Sequence, residues 1–178
     1  AALAGAVLTG FDLRVPKFAT ADLTGETVHE IVSRGKHLLH RIGDFTLHTH
    51  LKMEGAWRTS APGEKWRRPV FQARAVLTTV DVVSVGFELG VTELLRREDE
   101  DTVVGHLGPD LLGSDWDSSL AVSRLAANPD DPIYVAALDQ RNLAGIGNVY
   151  ANELCFLRGV LPTRPVSTVD LPPFVDLA

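Results

Sequence analysis

The segment ALDQRNLAGIGNVYANELCFLRGVLP (137–162) places helical patterns on both sides of a turn that contains Gly145 and Gly147. Upstream, PIYVAALDQRNL (132–143) predicts a helix with Pro132 at its first position; downstream, NVYANELCFLRG (148–159) predicts another that Gly159 ends. In the second helix Tyr150, Leu154 and Leu157 fall at i, i+4 and i+7, the spacing of a core-facing stripe. Two glycines in a reversal supply positive φ where the chain needs it, and Asn148 is a good N-cap. The first turn of a helix carries unpaired N–H groups and the positive end of the dipole, so a phosphate is the natural tenant of such a turn. A plain helix–turn–helix connection with a capping glycine fits the same residues.

The 178 residues are 45% hydrophobic, enough for one large domain or two small ones. No apolar stretch is long enough to span a bilayer, and the single cysteine, Cys155, excludes an internal disulfide and a CxxC zinc site within these residues. Net charge is −6, yet residues 34–74 hold nine Lys/Arg against three acids, whereas residues 75–140 hold three Arg against thirteen acids. A chain polarised in this way can offer a basic face to a polyanion while remaining acidic overall; an uneven solvated surface is the plainer reading.

The N-terminal half has strand texture. ARAVLTTVDVVSVGFE (73–88) predicts a hairpin turning near Val80 and Asp81, and Gly43–Asp44 marks a turn between TVHEIVSRGKHLLHRI and FTLHTHLKMEGAWRT. SAPGEKWRRP (60–69) reads as a loop, and HLGPDLLGSDWD (106–117), with its Gly, Pro and Ser residues, as a linker. Helical patterns then follow over 117–127, 132–143 and 148–159, with a further helix beginning at DLPPFVDLA. The expected fold is α+β: an N-terminal antiparallel β-sandwich over 1–105 followed by a helical domain over 113–178.

Three stretches in order resemble the formamidopyrimidine-DNA glycosylase and endonuclease VIII family. Residues 137–162 resemble its helix-two-turn-helix segment, SRGKHLLHRIGDFTLHTHLKMEGAWR (33–58) its β-sandwich segment, and HLGPDLL (106–112) the crossing into its helical domain. The resemblance implies a base-excision repair enzyme that removes an oxidised base and cleaves the strand at the abasic site by β,δ-elimination through a Schiff base. HLKMEGAWR looks closer to the endonuclease VIII branch, which implies oxidised pyrimidines. Implied partners are damaged double-stranded DNA or DNA with abasic sites, met by a monomer with no membrane association, in the bacterial cytoplasm with the nucleoid or otherwise inside the cell.

Carried over residue by residue, Lys36 matches the family's essential lysine near the phosphate of the damaged nucleotide, and His50 a phosphate-contacting histidine. Met53 matches the apolar side chain that fills the gap left by the flipped base. Gly147 and Asn148 match the phosphate-binding turn, and Arg141 a position where some members carry a lysine facing DNA. In GFELGV (86–91), Leu89 is the candidate for a second wedge.

The family's nucleophile is an N-terminal proline amine, with a pKa near 8 in a free α-amine and hence partly unprotonated at neutral pH, followed by a glutamate that moves protons. This sequence begins AALAGAVLTG, and it lacks the cysteines of the family's C-terminal zinc ribbon. The expectation is therefore a truncated piece that binds DNA weakly and forms no Schiff base, since Ala1 is an amine in the wrong place; it needs no cofactor itself, with a structural zinc belonging to a missing C-terminal segment. Two other readings compete: a non-catalytic module binding damaged DNA or other nucleic acid, and a metal-dependent hydrolase built on His48 and His50 with His37 and His40 nearby.

Overall fold

The computed structural model describes residues 2–178; Ala1, and with it the misplaced terminal amine, lies outside the described residues. The chain divides into two compact units, residues 1–33 with 37–103 and residues 34–36 with 104–178.

The first unit holds eight strands: β1 (Gly10–Leu13), β2 (Val28–Arg34), β3 (His37–Ile42), β4 (Phe45–His50), β5 (Ala56–Ser60), β6 (Ala73–Thr78), β7 (Val83–Phe87) and β8 (Val91–Arg96). They form two four-stranded sheets of order β1-β6-β7-β5 and β2-β3-β4-β8. The hairpin turn at 79–82 and the Gly43–Asp44 turn fall where the sequence puts them. Alternating side chains from both sheets, among them Leu13, Ile42, Leu47, Ala75 and Leu77, make one buried cluster, which is what defines the sandwich. Leu89, expected as a wedge, belongs to that cluster at 7% exposure, and a Cβ at Gly86 would lie 2.5 Å from its side chain. It is a core residue: the turn from β7 to β8 drives it inward, so it is not available to enter a helix of DNA.

Two neighbouring polar residues of β3, Arg41 half-buried and His40 buried, have opposite consequences. Arg41 on β3 forks onto the Glu100 carboxylate, with Nε–Oε1 at 2.9 Å and Nη2–Oε2 at 2.6 Å. His40, beside it in sequence, turns the other way and packs on Trp57 with ring centroids 4.6 Å apart. Burial pulls the His40 pKa from 6.5 down to about 4, against a hydrogen bond to the Leu47 backbone. The folded ring is thus neutral where the unfolded ring takes a proton, so stability falls as pH drops from about 6.5 to about 4 and levels off below. In thermal melts over this range the His40→Phe variant should show a flatter dependence of Tm on pH; a profile parallel to the parent would show that another group carries the transition.

The second unit contains α1 (Asp101–Val104) only at its last residue, then α2 (Ser118–Ala126), α3 (Ile133–Leu138), α4 (Asn148–Leu157) and α5 (Leu171–Val175). Asp117 caps α2 by accepting the Leu120 N–H at 2.9 Å. Leu125, Ile133, Leu143, Ile146, Leu154 and Phe174 anchor its core. The segment expected as a linker is not loose here: Leu107 and Asp110 are buried, and the stretch runs beside the 140–145 turn with Gly108 N–H to Gln140 O at 2.8 Å and Ala144 N–H to Pro109 O at 2.9 Å.

Three helical expectations change. The helix expected over 132–143 stops at Leu138, because Asp139 leaves helical geometry (φ −69°, ψ 110°) and residues 139–147 are committed to the turn; Pro132 is the cap rather than the first helical residue. In α4 the inward face is Ala151, Leu154 and Cys155, while Tyr150 and Leu157 are 71% and 63% exposed. Only Ala151, Leu154 and Cys155, an i, i+3, i+4 set, face the cluster, and Tyr150, one residue before Ala151, is rotated about 100° away from that face toward solvent. Asn148 is the first helical residue, and Gly147 takes the cap position. Gly159 ends the helix as expected, at φ +62° with its N–H on Phe156 O.

Candidate nucleic-acid interface

In the second unit the 139–148 turn is held by side chains that reach across it. Gln140 donates from Nε2 to Leu138 O and Ile146 O, both at 2.8 Å, and its Oε1 accepts the Gly145 N–H at 3.0 Å. Buried Asn142 donates to Ala136 O at 3.0 Å. Gly145 sits at φ +109°, a region open almost only to glycine. Gly147, at φ −117° and ψ 178°, is in ordinary extended geometry, so neither conformation nor crowding within this chain requires a glycine there, and its missing side chain leaves open space at the start of α4.

That space faces a cation. A Cβ at Gly147 would lie 3.5 Å from Lys36 Nζ. Lys36 reaches this position from the tight reversal between β2 and β3, where Gly35 is at φ +55° and its N–H donates to the Asp110 carboxylate at 2.6 Å. Asp110 also accepts the Leu112 N–H at 3.1 Å and lies 4.0 Å from Arg34. Arg34 in turn donates to Asp115 at 2.9 Å and Gly108 O at 3.0 Å. One buried aspartate therefore fixes the reversal that carries Lys36 to the start of α4. The N–H groups of Asn148, Val149 and Tyr150 have no acceptor within the helix, so an ammonium and a helix N-terminus converge on one surface. Both favour an anion with several oxygens.

Asn148 is exposed, and its Oδ1 accepts a short hydrogen bond from the Tyr134 hydroxyl. That bond fixes the amide so that its NH2 group is the end left to turn outward. Arg141 is 72% exposed and forks onto Asp139, with Nε–Oδ1 at 2.9 Å and Nη2–Oδ2 at 2.6 Å. The guanidinium hydrogen bonds hold the Asp139 carboxyl below its ordinary range.

In the first unit, His50 ends β4 and Met53 stands at the tip of the following turn, 92% exposed. The turn is braced: His50 Nδ1 accepts the Lys52 N–H at 2.9 Å, Lys52 takes φ +53°, and the Gly55 N–H returns to Leu51 O at 2.9 Å. A flexible apolar side chain on a strained, well-anchored turn is set up to enter a gap in a partner. Behind it runs a row of polar contacts, with His37 Nδ1 to His48 Nε2 at 2.7 Å, His48 Nδ1 to Glu93 Oε2 at 3.0 Å, and His37 edge-on to His50 at 5.1 Å. If Glu93 is ionised, the bond to His48 requires an Nδ1–H, and a neutral His48 then accepts from His37. Among the described residues no group of three or more His, Cys, Asp or Glu is placed to hold a metal ion, and the lone Cys155 is buried with its thiol pushed up by burial. These residues do not fit a zinc ribbon.

Lys36 with Gly147 and Asn148 come together in the second unit, and His50 with Met53 in the first; Arg141 stands on the same turn as Gly147 with its charge directed to Asp139. Sequence reasoning missed Asp110, Gln140 and Tyr134. Asp110 had a local signal, an acid two residues before the N–H it accepts; Tyr134 and Gln140 had none apart from lying in or near the resembling segment.

A two-sheet sandwich and a helical unit with a cation-facing glycine turn define a glycosylase-type fold. The fold matches the Lactococcus lactis formamidopyrimidine-DNA glycosylase solved non-covalently bound to DNA containing an abasic site, with TM-score 0.77 and 23% identity over 98% of this chain and 70% of that one. Residues 4–88 match the formamidopyrimidine-DNA glycosylase N-terminal domain, and residues 107–177 its H2TH domain. The chain is 55% identical to the probable endonuclease 8 2 of Streptomyces coelicolor over 93% of its length, and 52% identical to the DNA-(apurinic or apyrimidinic site) lyase Nei2 of Mycolicibacterium smegmatis over 97%. It spans 60% and 67% of those two proteins. The chain belongs to the formamidopyrimidine-DNA glycosylase and endonuclease VIII family, on the endonuclease VIII side. Among the described residues no helix is long and apolar enough to cross a membrane.

Proposed function

We propose that this chain is the DNA-holding part of a base-excision repair glycosylase with abasic-site lyase activity, acting as a monomer on oxidised pyrimidines in chromosomal DNA inside the cell. The observation that carries the proposal is the Lys36 ammonium against Gly147 at the start of α4. Lys36, Asn148 and the first N–H groups of α4 hold a backbone phosphate, and Lys36 keeps that phosphate's negative charge compensated while the sugar beside it reacts. His50 takes a further phosphate, and Met53 fills the gap where the damaged base leaves the stack. Arg141 adds positive potential, tempered by its fork onto Asp139. The name of the Mycolicibacterium smegmatis relative, an abasic-site lyase, supports the reaction class.

Gly147→Ala tests it directly. The new methyl meets Lys36 Nζ at ordinary contact distance, 3.5 Å, and the backbone there is extended, so the fold should be kept with Tm lowered by no more than a few degrees, the cost of alanine in place of glycine at a helix cap. A methyl in the phosphate's seat should cost about one charge-assisted hydrogen bond, roughly tenfold in affinity for a duplex with an abasic-site analogue by fluorescence anisotropy. Unchanged affinity would make the loop a connector only.

A further inference from the structure

The outer face of the β1-β6-β7-β5 sheet carries a second concave basic site. Loop 61–69 folds over this face and lays Trp66 edge-on to Phe87, with ring centroids 5.8 Å apart, and the Arg14 guanidinium stands 5.7 Å from the Trp66 ring. Beside Trp66 opens a cavity of about 530 Å3 with Val85 and Phe87 in its floor and Arg58, Lys65, Arg67 and Arg68 among its lining.

The charges there are unevenly used. Arg68 pairs with Glu88 at 3.2 Å and donates to Glu54 O at 3.3 Å. Glu64, the one acid in the lining, turns its carboxylate to the Ala61 N–H at 3.3 Å. Arg58, Lys65 and Arg67 are exposed and form no salt bridge among the described residues. Three uncompensated cations around one concavity repel one another and have no part in the core, yet they sit in a chain whose net charge is −6. Such an arrangement raises the local positive potential and collects an anion.

The type of anion follows from the setting. No helix N-terminus lines this cavity to enclose a single small ion; the donors are long exposed side chains, with the hydroxyls of Thr59 and Ser60 beside them. Such donors suit a chain of phosphates that passes over the rim, with Arg matched to phosphate by its planar fork. We propose that this pocket is a second nucleic-acid contact, in which Arg58, Lys65 and Arg67 take one or two backbone phosphates of a strand. It rests on the reading that the chain binds DNA, but it lies wholly in the sandwich unit and uses none of the residues of the Lys36–Gly147 turn.

Two readouts test it on the whole chain. The first is the salt dependence of duplex binding by fluorescence anisotropy for the parent and for Lys65→Gln combined with Arg67→Gln, which removes two exposed charges that no ion pair needs. The double variant should lower the slope of log K against log salt by about one and weaken binding several-fold on a duplex extended by a helical turn on each side of the abasic-site analogue. An unchanged slope and affinity would overturn the pocket as a DNA contact. The second is the Trp66 indole N–H signal by NMR, assigned with Trp66→Phe, during titration with an undamaged single-stranded oligonucleotide and with an oligo-glutamate peptide of equal charge. The oligonucleotide should move it and the peptide should not; equal movement with the peptide, or none with the oligonucleotide, would overturn the assignment. A chain with no preference for abasic DNA whose Trp66 signal still moves refutes only the glycosylase reading. A preference for abasic DNA with an unchanged slope in the double variant refutes only the pocket.

Discussion

Lys36→Ala is expected to weaken binding to an abasic-site duplex by roughly ten- to a hundredfold and to lower the salt slope by about one, with little change in Tm. The size follows from how the ammonium is delivered. The reversal that carries it is fixed by the Gly35 N–H on Asp110 at 2.6 Å, and Asp110 is itself buried, so the backbone needs no ordering when a phosphate arrives. The phosphate then meets a full positive charge and the N–H groups of α4 together, and such charge-assisted contacts are worth about twice neutral ones. Lys36→Arg keeps the charge but exchanges a compact ammonium for a wide planar fork beside Gly147, so it should restore only part of the affinity. Less than a threefold loss in the alanine variant would remove Lys36 from the interface.

Glu100→Ala should destabilise the sandwich unit by about 2–3 kcal/mol and lower Tm by roughly 5–10 °C in calorimetry. Arg41 donates to both Glu100 oxygens and also to Glu30 at 2.7 Å, and the Thr46 hydroxyl makes a short hydrogen bond to the same carboxylate. Truncation leaves a guanidinium and a buried hydroxyl short of acceptors. The cost stays below that of a fully buried pair because the Arg41 side chain is 26% exposed and keeps Glu30. Burial resists ionisation of Glu100, but the hydrogen bonds from Arg41 and Thr46 outweigh it and hold the carboxyl below its ordinary value of 4.5, while Glu100 holds the Arg41 guanidinium charged. A lowered carboxyl stabilises the fold above about pH 4.5, and that stability is lost as pH falls through the lowered value. The gap between parent and variant should therefore narrow in acid. A gap that stays constant to pH 2 would show that packing, and not the charge on Glu100, supports the unit.

The sandwich was legible because β-strand pairing leaves a local record. Gly43–Asp44 and the alternation around Val83–Phe87 mark turns and faces within a few residues of one another. The helical unit was legible as helices but not in its limits. The helix stops at Leu138 because Asp139 Oδ1 accepts the Arg141 N–H at 3.0 Å in a local turn, and Gln140, which reads in sequence as an ordinary helix former, then bonds carbonyls on both sides of the reversal. Tyr150 and Leu157 fit an inward stripe by spacing, and only the small face made with Ala151 and Cys155 shows that the helix turns them out. Leu89 failed as a wedge for a related reason, since sequence places it at a turn but cannot say that the turn points inward. Lys36 and Gly147 lie over a hundred residues apart in the sequence, so their meeting belongs to the fold and is invisible to any motif.

The assignment of residues 34–36 to the unit of residues 104–178 bears on how this chain can be cut or recombined. The helical unit is not a cassette that can be excised at one point: a fragment beginning at 104 would keep the glycine turn but lose its cation, and Asp110 would lose both the Gly35 N–H and Arg34. Chimeras that exchange the C-terminal half between relatives inherit the same constraint. The three-residue reversal and the aspartate that clasps it must travel together, although six of the eight strands of the sandwich are written between them.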